Sequence, residues 1–321
     1  MTQPMTAHPP SNQWTLSLIV PVLNEAHSLR RFLDETLEVL LPVVPALEVI
    51  FIDDGSTDGT LEILRELSST YPGARYVSFS RNFGKEAALS AGLQHATGDA
   101  VVPMDADLQH PPEAVIDFID VWRHRGVEVV YGIPASKQAE TASKTATSSW
   151  FYRLFNKISE VDIPASAGDF RLLDRVVVDT INRLPERNRF MKGIYAWAGF
   201  RSEAVIYQQR GRLTGTSRFN YWKLWNFALD GFIGFSTWPL RIWTYIGGII
   251  ALSAFVYMAI IITKTLIWGI DTPGYASLMS AVLFFGGMQL LSIGILGEYV
   301  ARMFSETKRR PLYVVMETDS T

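Results

Sequence analysis

Two long charge-free stretches near the C-terminal end constrain this chain more than any other feature in it. From Ile242 to Thr263 there is no charged residue in 22, and from Thr272 to Gly297 none in 26. A helix rises 1.5 Å per residue, so about 20 apolar residues cross the roughly 30 Å hydrocarbon core of a bilayer. A buried helical hairpin in a soluble protein is the competing reading, and such hairpins rarely run this far without a charge. Two spans return the chain to the side it left. Arg241, Arg302, Lys308, Arg309 and Arg310 flank the outer ends of the pair, whereas the connection carries only Lys264 and Asp271. The positive-inside rule then puts both termini in the cytoplasm.

The rest of the 321 residues divides by composition around this hairpin (residues 241–300). Residues 1–14 are polar and Pro-containing, with neither a basic n-region nor an apolar h-region, and read as a disordered N-terminus rather than a signal peptide. Residues 15–218 have the composition of a soluble α/β domain. Residues 219–240 carry Trp222, Trp225, Phe232, Phe235 and Trp238, the residue types of a headgroup boundary, and are expected to form interfacial amphipathic helices. Residues 301–321 form a cytoplasmic tail. The net charge of −3 gives no basic field for nucleic acid, and the absence of cysteine excludes disulfides and thiolate metal sites.

Within the soluble part, "LSLIVPVLNE" is a buried-strand run that ends in a polar turn. A helical pattern follows it, with Leu29, Phe32, Leu33, Leu37 and Leu40 on one face. "LEVIFIDDGSTDGT" repeats the plan, with a helix expected from about Thr57 to Ser69 and Ser56 or Thr57 as its cap. "ARYVSFSRNFGKEAALSAGLQHATG" repeats it again, and Ala100 to Met104 is the fourth strand. Strands alternating with helices imply a parallel sheet covered on both faces, with ligands beyond the carboxyl ends of the strands. Asn24-Glu25, Asp53-Asp54, Arg81-Asn82 and Asp105/Asp107 all fall at such ends and should meet on one edge.

The chain lacks both G-x-x-x-x-G-K-[ST] and a G-x-G-x-x-G after its first strand, so phosphate must be handled without either loop. The acids suggest how. Mg²⁺ or Mn²⁺ prefers oxygen ligands, commonly one or two carboxylates plus substrate phosphates. The D-x-D of Asp105 and Asp107, with the Gln109 amide oxygen, suits such a cation and a bridging diphosphate. Asp53 and Asp54 can accept a hydrogen bond from a uracil N3–H or a ribose hydroxyl, or can cap the next helix. Arg81 and Lys85 can neutralise donor phosphates or form a solvated helix start.

Taken together, "VPVLNE", "DDGSTDGT", "SRNFGKEAALSAGL", "DADLQHPPE", "GDFRLLDR", "LPERNRFMKG" and "LGEYVARMFSETKRRP" resemble the family-2 glycosyltransferases that charge polyprenyl phosphates. The bactoprenol glucosyltransferases of O-antigen modification resemble it most, and the dolichol-phosphate mannose synthases less. The resemblance implies a GT-A fold and a nucleotide-sugar donor, with UDP-glucose first and GDP-mannose or a UDP-N-acetylhexosamine as alternatives. It also implies a divalent cation (Mg²⁺ or Mn²⁺), an undecaprenyl phosphate acceptor, a place in the inner membrane and a homotetramer. Carried onto this sequence, Pro21, Asn24, Glu25 and Asp54 line the nucleotide site, and Asp105, Asp107 and Gln109 form the metal group. Asp169 lies near the reacting centre, and Arg212, Ser217 and Arg218 clamp the acceptor phosphate. Asp169 could bind a sugar hydroxyl, orient basic residues or take a proton, or simply pair with Arg171 or Arg175. One departure stands out: after "VEVVYG" the arginines usual in relatives are replaced by "IPASKQAE". Lys137 is then the candidate phosphate contact there, and Ala135–Thr147 a candidate lid. His110, in place of a common acid, reads as a solvated loop histidine, with a supporting role behind the metal turn as the alternative. A processive synthase is disfavoured by only two spans and no Q-x-x-R-W motif. A non-catalytic scaffold is disfavoured by the intact D-x-D.

Overall fold

The computed structural model describes residues 13–135, 168–187, 189–210 and 274–319, with scattered positions between 245 and 267. The first half alternates strictly between strand and helix: β1 (Thr15–Val22), α1 (Leu29–Leu40), β2 (Ala46–Asp53), α2 (Thr60–Thr70), β3 (Ala74–Phe79), α3 (Lys85–His95), β4 (Ala100–Pro103) and α4 (Pro112–Arg125). Then come β5 (Val129–Pro134), β6 (Arg171–Asp174), α5 (Arg175–Asn182), α6 (Met191–Trp197), β7 (Ser202–Tyr207), α7 (Tyr275–Thr307) and β8 (Val315–Thr318). One sheet runs β7-β5-β6-β4-β1-β2-β3-β8. Its centre is parallel, β4-β1-β2-β3, as the alternation requires. β6 runs antiparallel between β4 and β5, and β8 antiparallel on β3.

The strands are apolar on both faces because both faces are covered. Leu18, Val20, Val49 and Phe51 point to one layer, where they meet Phe32 and Leu33 of α1, Leu64 of α2, and Phe118 and Trp122 of α4. Ile19, Ile50, Ile52 and Val77 point to the other, against Ala88, Leu89 and Leu93 of α3 and Val177 and Ile181 of α5. Each fully buried aliphatic or aromatic side chain contributes roughly 1.5–3 kcal/mol. The α1 face is as the pattern predicts, with Leu37 at its partly buried margin. α3 is buried from Ala87 to Leu93, and Gly92 lets it touch β1 closely: a Cβ there would lie 1.9 Å from Ile19 Cγ2.

α2 begins at Thr60, later than the sequence pattern suggests, and Gly59 precedes it without a side-chain cap bond. Ser56 and Thr57 are committed elsewhere, to Asn24, while Asp58 Oδ1 accepts the Thr60 N–H at 3.0 Å. α7 runs past the expected span end at residue 300, to Thr307. Its 24-residue segment Phe284–Thr307 contains an 18-residue stretch of mean hydropathy 1.3 and is long and apolar enough to cross a membrane, with none of that stretch buried in the structure. Phe284, Leu290, Leu291 and Leu296 are exposed, as are Tyr245, Ile249, Leu252 and Leu266 among the described positions of the first charge-free stretch. Exposed apolar surface on this scale calls for a covering medium or partner.

The chain after α7 rejoins the sheet, which its polar sequence did not announce. Tyr313 stacks on Phe79 with ring centroids 4.7 Å apart and donates to Gln94 Oε1 at 2.6 Å. Glu317 on β8 accepts from Arg65 at 2.6 Å and from the Tyr76 hydroxyl at 2.7 Å. Glu306, at the end of α7, accepts the Arg187 N–H at 3.0 and 3.1 Å.

Candidate active site

The strand-end loops of β1, β2 and β3 are stitched into one rim. Asn24, in the left-handed region at φ 57, donates its N–H to Ser56 Oγ at 2.9 Å and accepts the Thr57 N–H at 2.8 Å. Glu25 N–H donates to Thr60 Oγ1 at 2.9 Å. Pro21 lies within β1 in register with Ile52. Asp53 is 1% exposed, and both its oxygens are engaged, one by the Ser56 N–H at 3.0 Å and one by the Ser78 hydroxyl at 2.8 Å. Asp54 accepts the N–H groups of Phe83 (2.7 Å) and Gly84 (3.0 Å), just ahead of α3. Burial pushes the Asp54 carboxyl upward, against the pull of those two N–H groups. Gly55, at φ 72, passes so close to β3's end that a Cβ would sit 2.4 Å from the Arg81 carbonyl carbon. Arg81 itself lies over the Phe83 ring at 4.0 Å and remains exposed.

The β4 end is built differently. Ala106 and Leu108 are buried anchors, and Asp105, Asp107 and Gln109 alternate with them at the surface. Leu108 turns the chain at φ 56. Asp107 Oδ1 accepts the Gln109 N–H at 3.0 Å. The Gln109 side chain accepts from Gln209 at 2.9 Å, and its carbonyl accepts the Arg210 N–H at 3.1 Å. Arg210 continues to Glu35 (2.8 Å) and Glu113 (2.7 Å), tying the chain after β7 to the D-x-D turn.

β6 explains how Asp169 reaches this turn. The antiparallel register pairs Ala100 with Asp174 and Val101 with Leu173, and continuing it brings Asp169 opposite Asp105. Lys85, the first residue of α3, stands between them. Its Nζ donates to both Asp105 oxygens at 2.7 and 2.9 Å and lies 3.8 Å from Asp169 Oδ2. Desolvation works against the Lys85 charge, but Asp105 and Asp169 outweigh it and the ammonium's pKa is raised. Thus Lys85 is no mere solvated helix start, and Asp169 faces Lys85. Arg171 instead packs its guanidinium over the Tyr195 ring at 4.0 Å, and Arg175 donates to the Gly98 carbonyl at 2.8 Å.

His110 corrects the sequence reading. Its ring stacks on Phe170 at 4.5 Å, and its Nδ1 is 2.8 Å from the Tyr207 hydroxyl, so it is packed into the site wall rather than solvated. Burial lowers its pKa, against Asp105 and Asp107, and burial first and Asp105 second push the Tyr207 hydroxyl up to about 12. Glu86 also went unnoticed in the sequence, where it is one acid in a helical run. Its Oε2 accepts the Met191 N–H at 3.0 Å, joining α3 to α6, and burial pushes its carboxyl up to about 7. Phe170 and Tyr207 carry no polar signal a sequence could show. A small hollow lined by Lys85, Met104, Asp105, His110, Asp169 and Phe170 marks where these groups converge.

Among the described residues no cluster of three His, Cys, Asp or Glu side chains could by itself hold a metal ion. Asp105 and Asp107, with an amide at Gln109, still fit a hard cation of the Mg²⁺ type, which keeps waters and draws its other ligands from substrate phosphate. The candidates Lys137, Arg212, Ser217 and Arg218 lie outside the described residues, as do the N-terminal residues 1–12. So do the expected lid beyond Ala135 and the interfacial stretch 219–240.

Residues 17–181 match the family model "Glycosyl transferase family 2", and residues 238–303 match "GtrB C-terminal hairpin". An uncharacterized glycosyltransferase of Synechocystis sp. is 48% identical over 302 residues, covering 94% of this chain and 95% of its own. A prophage bactoprenol glucosyl transferase homolog of Escherichia coli K12 is 46% identical over 300 residues, covering 94% and 98%. The bactoprenol glucosyl transferase of Shigella phage SfV is 46% identical over 300 residues, covering 94% and 97%. Among solved structures, the mannosyltransferase PcManGT from Pyrobaculum calidifontis in complex with GDP-Man and Mn²⁺ aligns over 96% of this chain and 90% of its own. It does so at 17% identity and a TM-score of 0.49. With the family model spanning half the chain and relatives near half identical along almost all of it, this protein belongs to glycosyl transferase family 2.

Proposed function

We propose that this enzyme moves a hexose, glucose from UDP-glucose in the first instance, onto undecaprenyl phosphate at the cytoplasmic face of the inner membrane. The observation that carries the reading is the meeting of Asp105, Asp107, Lys85 and Asp169 at one sheet edge of a chain that continues into an exposed apolar helix of bilayer length. The bactoprenol glucosyl transferases among the relatives support the acceptor and the sugar, and the match to a C-terminal hairpin model supports two spans.

A divalent cation held by Asp105, Asp107 and the Gln109 amide would supply charge neutralisation for the departing diphosphate. The stitched rim of Asn24, Glu25 and Asp54 frames the nucleotide. Asp53, sealed inside, shapes that rim from beneath. The attacking group is a phosphate oxygen, already ionised near neutral pH because its second pKa is about 6, so no strong general base is required. The chain's work is therefore positioning and electrostatics. Lys85 brings a positive charge to the same edge, where it can neutralise donor phosphate, and Asp169 orients Lys85 and accepts from a sugar hydroxyl. In-line attack inverts the anomeric centre.

Arg212, Ser217 and Arg218 are the proposed acceptor clamp, with Lys137 as a further contact. Arg210 supports it. Its N–H is bound to the Gln109 carbonyl, and Arg212 follows two residues on, a reach of at most about 7 Å. The test is incubation of the full-length protein in detergent with radiolabelled UDP-glucose and undecaprenyl phosphate, followed by lipid extraction. Label should enter the lipid phase and vanish with a chelator. Label that survives complete chelation would overturn the cation reading, and lipid label from GDP-mannose or a UDP-N-acetylhexosamine alone would reassign the sugar.

A further inference from the structure

The place of Lys85 in the site suggests more than charge balance. Its ammonium covers both oxygens of Asp105, at 2.7 and 2.9 Å, the same oxygens a cation in the D-x-D turn would need. We propose that Lys85 is a built-in counter-ion that competes with the divalent cation for Asp105, so that cation and nucleotide sugar enter together. This rests on the cation reading above and adds to it an order of events.

The physical basis is local. A doubly charged ion cannot share Asp105 with an ammonium in direct contact without strong repulsion, because at such separations charge–charge energies near a protein surface are several times thermal energy. Cation entry therefore requires Lys85 to leave. Lys85 has somewhere to go. Asp169 Oδ2 is 3.8 Å away, just ahead of β6, and the Lys85 side chain is 45% exposed. A nucleoside diphosphate brings negative oxygens to the same edge. It offers the cation further ligands and the displaced ammonium a new partner. The donor thus tightens the cation by two routes, and one of them runs through Lys85.

The test is Mn²⁺ binding to the full-length protein in detergent, read from the free-ion electron paramagnetic resonance signal, with and without UDP. Lys85→Met should bind Mn²⁺ without nucleotide about tenfold more tightly than wild type, within the usual range for coupled sites. The factor by which UDP tightens Mn²⁺ should shrink correspondingly. Lys85→Arg, which keeps the charge, should behave as wild type and serves if Lys85→Met melts early. Arg tightening Mn²⁺ as Met does would overturn the proposal. So would an unchanged or weaker Mn²⁺ affinity in a folded Lys85→Met with intact UDP coupling, and the cation reading would then still stand. If wild type takes up no Mn²⁺ even with saturating UDP, the cation reading fails and this inference falls with it.

Discussion

Two acidic pairs end the strands on either side of β1, and they are put to opposite uses. Asp53 and Asp54 close β2, and Asp105 and Asp107 follow β4. The first pair looks inward. Asp53 is spent on Ser56 and Ser78, and Asp54 on the backbone of Phe83 and Gly84, so these carboxylates hold the rim's own loops in place. The second pair looks outward, with Ala106 and Leu108 as buried anchors, Asp105 met by the flexible Lys85 side chain and Asp107 by the Gln109 N–H of its own turn. A buried carboxylate that ties one loop to another is part of the architecture, whereas a partly exposed one met by a side-chain cation or by its own turn can be given up to a ligand. The distinction lies in what surrounds each pair, since the two are alike as residue types.

Substitutions can break this comparison directly. Asp107→Asn keeps an acceptor for the Gln109 N–H but removes the charge. It should lower sugar transfer about 10³-fold while the melting temperature stays put. A stable variant with near-wild-type turnover would make the second pair architectural too. Asp53→Ala should do the reverse, leaving the buried Ser78 hydroxyl and Ser56 N–H unpaired at a cost of about 3 kcal/mol. For a domain of this size that is a fall of roughly 6–12 °C in Tm, checked by thermal melting. Undiminished stability there would erase the contrast. Gly55→Ala tests the same rim by geometry, since φ 72 and the 2.4 Å approach to Arg81 both oppose a Cβ. About 2 kcal/mol of destabilisation is expected, read as a shifted denaturant midpoint.

The smallest effect concerns Glu86, behind the outward pair. Its carboxyl is raised to about 7 from an ordinary 4.5, so between those values the folded state binds the proton and the unfolded state does not. Stability from this group is then present at low pH and falls as pH rises from about 4.5 through 7. Tm measured across that window should decline by a few degrees in wild type, and Glu86→Gln should flatten this component. A wild-type Tm that instead rises through the window, with Glu86→Gln parallel to it, would show that burial does not govern this group.

The parallel core was legible because β1, β2 and β3 are apolar on both faces and each is followed by a helical face such as Leu29–Phe32–Leu33–Leu40. That Asn24, Asp54, Lys85 and Asp105 share an edge follows from that topology alone. The partnership of Asp105 with Asp169 was not legible as geometry, because it depends on β6 running backwards between β4 and β5, a choice that four residues, Arg171–Asp174, cannot announce. Nor was the packing of His110. Its neighbours, Phe170 just ahead of β6 and Tyr207 at the end of β7, lie far along the chain, and only their convergence turns a loop histidine into part of a wall. β8 was missed for a similar reason, since Val315–Thr318 is too short and too exposed to stand out as a strand without β3 beside it.

β8 has a consequence for biosynthesis. Because it follows α7 in the chain, it is synthesised only after that apolar helix. Until then β3 presents an unpaired edge, a template for association with other chains. Docking of Val315–Thr318 is thus a late step of maturation, one that closes the sheet only once the helix has been made.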